Sequence, residues 1–395
     1  MFYDRLPGAA NCLLLPDALY DPGTDRLDKN MALAVEQGRI AALVPAADCP
    51  QENCQRLPGL TLLPGLIDAH VHLCLSGRAG ETDALAALPD QQLAQRLREN
   101  LARNLRLGVT TVRDLGCPAR MMAMLEGAPG VPVPRVAASG PAVTVPQGHG
   151  AYFGLPLQRR EEIGPAIKDL CAMGADWIKI MVTGGNLTPG TNVETCQFPQ
   201  PFLQELTDAA HAAGKKVACH VHGLEGVWQC IRAGVDSVEH ASYMDEEAEQ
   251  VLAEAGIWYV ATICPGKLLH GLAPAAADRV HRRWELIRRG AATGVRFGAG
   301  TDAGIPGVPH GSVVHEVQEL ARLGLGPRRA LRAATADNAV LLGLADCGSL
   351  RPGCAADLVG YRGDPVDDLT LLERPSFVMR AGVAVRRPEK SSASA

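Results

Sequence analysis

The sequence predicts an α/β protein: a (β/α)8 TIM barrel with a small β-sandwich domain formed by both chain termini. Three observations carry that expectation. Short β-branched runs alternate with longer amphipathic stretches over residues 61–345, at a spacing of about 30 residues that suits a barrel of ~250 residues. Residues 1–60 and 346–388 hold shorter strands broken by Gly and Pro, and the two ends of one chain can pair in one sheet. Finally, His, Lys and Asp recur where the barrel strands end, which is where barrel enzymes hold their sites.

The elements follow in order. The candidate barrel strands are Thr61–Leu73, Val109–Gly116, Arg135–Thr144, Trp177–Gly185, Lys216–Gly223, Ser237–Tyr243, Trp258–Pro265 and Arg296–Gly304. Helical periodicity falls between them, at Leu88–Leu107, Glu161–Met173, Gln200–Ala213 and Arg279–Thr293. Three further helices follow: Gly311–Leu323, Gly326–Ala334 and Ala336–Leu342, the last stopped by Gly343. Terminal strands are expected at Met31–Val35, Arg39–Val44, Leu358–Tyr361 and Phe377–Val385, and residues 389–395 read as a disordered tail.

Composition narrows the function classes. With 47% apolar and 21% charged residues in 395, the chain is neither disordered nor fibrous. A net charge of −5 gives no nucleic-acid footprint, so a small-molecule substrate is the default partner. No apolar run approaches the roughly 18 residues that span a bilayer, and Met1–Leu15 lacks a basic signal-peptide start. A cytoplasmic homo-oligomer without membrane partners is expected. The 12 cysteines form no Cys-x-x-Cys pair, so zinc ribbons and thioredoxin-type motifs have no support.

The strongest local signal is Pro64-Gly65-Leu66-Ile67-Asp68-Ala69-His70-Val71-His72-Leu73. Alternation along a strand puts His70 and His72 on one face, a clamp for a borderline metal such as zinc. A bare His-x-His is more often an ordinary pair, so the rest of the set matters. Lys179 interrupts the apolar strand Trp177-Ile178-Lys179-Ile180-Met181 in a chain with few lysines. Burial there favours a neutral amine, which can capture CO2 as a bridging carbamate. His220 and His222 form a second His-x-His, His240 ends Val238-Glu239-His240, and Asp302 stands among glycines in Gly298-Ala299-Gly300-Thr301-Asp302. Six convergent ligands (His70, His72, Lys179, His220, His240 and Asp302) suit two divalent ions about 3.5–4 Å apart with a hydroxide between them. Zinc is the default; manganese, cobalt or iron fit the same ligands.

These motifs resemble the amidohydrolase superfamily, in the branch of imidazolonepropionase-related hydrolases and of Xaa-Pro and Xaa-Arg dipeptidases. The resemblance spans nearly the whole chain, including Gly348-Ser349-Leu350-Arg351-Pro352-Gly353 and Ala333-Ala334-Thr335 with Asn338-Ala339. It implies that His70, His72 and Asp302 hold the more buried ion, that His220 and His240 hold the other, and that carboxylated Lys179 bridges them. It further implies cleavage of a small amide C–N bond, in a dipeptide or N-acyl amino acid, with Asp302 as proton shuttle. His149, in a loop resembling the family's Gly-His-Gly segment, is a candidate substrate contact, as are His222, Tyr243 and His310. The competing reading is a mononuclear-metal deaminase or cyclic-amide hydrolase of the same fold, to which His222-Gly223-Leu224-Glu225 would supply a His-x-x-Glu pair. The register makes His220 the ligand, and a deaminase has no need of Lys179.

Overall fold

The computed structural model describes residues 11–50, 54–126, 131–263 and 274–387. The expected tail at 389–395 and the first ten residues lie outside them. Among the described residues, no helix is long and apolar enough to cross a membrane.

Eight parallel strands alternate with helices: Leu66–Val71, Val109–Asp114, Arg135–Ala138, Trp177–Met181, Lys216–Val221, Ser237–His240, Trp258–Val260 and Arg296–Gly298. Leu66–Val71 is buried at every position, as a parallel strand covered on both faces must be. The helices present one apolar stripe each; Asp90–Arg106, for example, buries Leu93, Leu97, Leu101 and Leu105 at four-residue spacing. Hydrogen bonds join the eighth strand's end to the first: Ala69 N to Ala299 O (2.9 Å), Asp302 N to His70 O (2.8 Å) and His72 N to Ala303 O (2.7 Å). The expected third strand is broken at Gly140, where φ is +67°, and resumes as Val143–Thr144 beside Ile180.

Inside the strand array, Ile67, Ala69, Ala218 and Val260 pack against Leu341, Leu342 and Leu344. The helix Ala336–Leu342 stops one end, tied by Asn338 Nδ2 to Ile67 O (2.8 Å) and Ala299 O (2.7 Å). The other end, where the strands finish, is left for chemistry.

Both termini contribute strands to one small unit, and among the described residues its eight strands are hydrogen-bonded in one sheet. Leu358–Arg362 runs antiparallel to Cys54–Pro64, which lies parallel to Cys12–Asp21. Leu14, Leu33, Ile40, Leu60, Phe377 and Met379 form a core separate from that of the parallel strands. The unit therefore extends to Pro64, not 60, and the expected strand Thr61–Leu73 is two strands in two sheets. Gly65, between the two, lets the chain lie close against the next parallel strand, since a Cβ there would fall 2.2 Å from Thr110 Oγ1. The expected Phe377–Val385 is a hairpin, Phe377–Arg380 and Val383–Arg386.

Candidate metal centre

His70, His72, His149, Lys179, His220, His222, His240 and Asp302 line one cavity at the C-terminal ends of the strands. The imidazoles touch in series, with ring centroids 5.3 Å apart for His70 and His240, 4.7 Å for His220 and His240, and 4.4 Å for His149 and His220. Candidate ligand atoms gather in two groups that share His240, one with His220 and His222, the other with His70 and Asp302. His72 Nε2 lies 3.1 Å from Asp302 Oδ1. His222 thus stands as close to ligand position as His220 does.

Local backbone geometry aims these groups. Strand alternation would send Glu239 and His240 to opposite faces, yet His240 and Ala241 take φ of +70° and +42°, and the chain turns back on itself. Asp302 (φ +61°) and Thr262 (φ +49°) are bent the same way. Non-glycine residues in that region are strained by about 1–3 kcal/mol each and gather at functional sites. Gly300 lets the eighth strand lie against the first, because a Cβ there would meet His70 Cβ at 2.8 Å.

A second layer of side chains holds the imidazoles. His70 Nδ1 donates to Glu239 Oε2 (2.8 Å), and Glu239 Oε1 receives Arg113 Nη2 (2.9 Å), all fully buried. Burial alone would raise the Glu239 carboxyl, but Arg113 and His70 hold it down to about 2. His72 Nδ1 donates to Gly116 O (3.2 Å), His240 Nδ1 meets Thr262 Oγ1 (2.6 Å), and His222 Nδ1 meets Ser242 Oγ (2.8 Å). One nitrogen of each ring is thereby occupied and the other is free to ligate, as metal-bound histidines require. Asp68 accepts from His70 N (3.2 Å), Thr301 N (3.1 Å) and Thr301 Oγ1 (2.7 Å), fastening the strand that carries Asp302 to the one that carries His70.

The electrostatics match a cation site. Burial pushes His70 and His149 down to about 4, and His220, His222 and His240 well below their ordinary range, so all five are neutral at pH 7. Burial also lowers Lys179 to about 8. Burial alone would raise Asp302, but His70, His72 and Lys179 hold it well below the carboxylate range. Lys179 Nζ and Asp302 Oδ1 are buried with no hydrogen bond. Buried polar atoms are normally satisfied; two orphans facing neutral imidazoles are what a divalent cation would complete, and the donor set fits one or two such ions.

The loop after the fourth strand forms part of the wall. His149 bonds through Nδ1 to Thr188 Oγ1 (3.1 Å) and through its amide to Gln197 Oε1 (2.6 Å). Two expected substrate contacts do not reach the cavity. Tyr243 is half-buried with its ring under Arg282 (5.4 Å). His310 is buried with both nitrogens used, on Leu75 O (3.0 Å) and Asn104 Nδ2 (3.3 Å). Glu225, the acid of the deaminase reading, points to solvent and pairs with Arg232 (2.6 Å). Sequence reasoning missed Asp68, Arg113, Glu239, Thr262 and Arg283.

A larger cavity, about 610 Å³, lies at the opposite ends of the strands. Its polar groups are already matched: Arg135 with Asp346 (2.7 Å), Lys216 with Leu341 O (2.7 Å), Asp176 with Ala138 N (3.1 Å). With its polar groups matched within the protein, that end reads as structural.

Comparison with known proteins agrees with this geometry. The model of the Amidohydrolase family matches residues 61–385. Ochratoxinase from Aspergillus niger is 29% identical over 93% of this chain and 85% of its own. Imidazolonepropionase from Salinispora arenicola is 26% identical over 91% of this chain and 93% of its own. Among solved structures, a Xaa-Pro dipeptidase with methionine bound in its active site superposes with a TM-score of 0.86 at 28% identity, covering 95% of this chain and all of the other (100%).

Proposed function

The chain belongs to the amidohydrolase family and is a hydrolase acting on carbon–nitrogen bonds; we propose that it cleaves small amides, dipeptides or N-acyl amino acids, at a centre of two divalent ions, with Lys179 carboxylated and Asp302 moving the proton. The observation that carries this reading is the pair of orphaned buried atoms, Lys179 Nζ and Asp302 Oδ1, among five neutral histidines. The (β/α)8 barrel belongs to the same reading, supported by the hydrogen bonds between the eighth strand's end and the first.

When bound, divalent ions supply an acidified water and a Lewis acid for the scissile carbonyl. His70, His72 and Asp302 would hold one ion, His220 and His240 the other, with the Lys179 carbamate between them. His222 is a further candidate ligand. The residues do the rest. Asp302, ionised at neutral pH, accepts the proton of the attacking water and returns it to the departing amine nitrogen. His149, neutral and fixed by Thr188 and Gln197, reaches the carbonyl oxygen as a hydrogen-bond donor. Thr262 and Glu239 keep their imidazoles in the ligating tautomer.

Asp302→Asn tests the proton role. It keeps the fold and loses about 10²–10⁴-fold in kcat in metal-replete protein, as removal of an acid–base group should. Wild-type turnover in that variant contradicts the assignment.

A further inference from the structure

Helix Pro274–Thr293 brings Arg283 into the wall of the metal cavity. The residue is 7% exposed. Among the described residues its hydrogen bonds leave from Nη1, to Ala261 O (3.1 Å), Thr262 O (3.1 Å) and Thr262 Oγ1 (3.3 Å). Nε is buried with no partner, and among the described residues no carboxylate forms an ion pair with the side chain. A guanidinium stays charged at any ordinary pH and offers five donors in a fixed fork. Buried charges are normally paired, because desolvation without a counter-ion is costly. Arg279, one turn earlier on the same face, bonds Asn186 in the same wall (2.9 Å). His222 lines the same cavity as Arg283. Tyr152, Phe153, Leu187 and Ile305 supply apolar wall.

Given the amide hydrolysis proposed above, we infer that Arg283 is the residue that anchors the carboxylate of such a substrate, with the apolar wall beside it taking the neighbouring side chain. The guanidinium uses its free donors on the anion while Nη1 stays on the seventh strand's end. This also places the amide at a fixed distance from the metal ligands, because the same Nη1 holds Thr262 and Thr262 holds His240.

The test is calorimetric binding of 3-phenylpropanoate and of 3-phenylpropanol, neither of which has an amide bond to cleave, to zinc-loaded protein, with metal content measured on each sample. Wild type binds the acid at least about 30-fold more tightly than the alcohol, the loss typical when one partner of a buried charge pair is removed. In Arg283→Met the ratio falls to near one. Thr262→Val, which cuts the link to His240 and leaves the guanidinium in place, keeps the ratio. The proposal is overturned if wild type shows no preference, or if the preference survives in metal-replete Arg283→Met, which would assign it to the ions. It is also overturned if Thr262→Val abolishes the preference as fully as Arg283→Met does. Should the Met variant not fold, Arg283→Lys replaces it, with a several-fold smaller ratio expected and an unchanged ratio overturning the idea. Binding is read without turnover, so failure of the anchor and failure of amide hydrolysis are separate results.

Discussion

Replacing Lys179 by Met should stabilise the metal-free protein and cripple the loaded one. Lys179 Nζ is buried without a hydrogen bond, in a strand whose other side chains are all apolar. Burial lowers its pKa from 10.5 to about 8. The folded value lies below the unfolded one, so the amine's contribution is most favourable above pH 10.5 and is lost as pH falls through 8. At pH 7 that shift amounts to about 3 kcal/mol against the fold. The independent figure for an unsatisfied buried polar group is ~1–3 kcal/mol. Methionine fills similar volume without the amine, so chelator-treated Lys179→Met should gain about 1–3 kcal/mol in urea unfolding. On the proposed two-ion centre metal reverses the sign, because wild type gains stability from every ion it binds and the variant would lack the Lys179 bridge. The zinc-loaded variant should therefore be the less stable of the two and inactive. A metal-free Met variant less stable than wild type would refute the burial argument. One that kept full metal content and turnover would refute the bridging role.

Two further predictions concern the layer behind the ligands and its titration. Glu239→Gln leaves Arg113 buried without its carboxylate and should cost about 3–5 kcal/mol, with metal affinity down about 10–100-fold; unchanged urea midpoint and affinity would contradict the role. The metal-free protein should lose stability as pH falls below 6.5, the ordinary histidine value, because burial holds His70, His149 and His310 near 4 and the unfolded chain takes up protons that the fold refuses. These depressed groups contribute fully above pH 6.5 and lose about 1.4 kcal/mol per pH unit each on the way down to about 4. Urea midpoints across that range check it, and a flat profile contradicts it.

What the sequence made legible were groups that break a local pattern. His70 and His72 share a face by strand alternation, Lys179 is a charge in an apolar run, and Asp302 stands among glycines. The residues that hold them were not legible, since Arg113 and Glu239 are 126 residues apart and Asp68 and Thr301 are 233 apart. In the sequence each looks like an ordinary strand polar residue. Tyr243 was picked for its nearness to His240 in sequence, and the positive φ at His240 and Ala241 was not legible there. The boundary at Gly65 was hidden because Leu60 to Ile67 reads as one apolar run. Arg283 sits on an amphipathic helix among exposed arginines, and only its burial distinguishes it.

The central claim is a two-ion amide hydrolase, and metal content measured beside amide hydrolysis tests it most directly. Fully reconstituted protein should hold about two divalent ions per chain. Replacing His220, which belongs to only one of the two ligand groups, with Ala should bring the content towards one and abolish hydrolysis of N-acyl amino acids. At most one ion in fully reconstituted, active wild-type protein would contradict the two-ion centre.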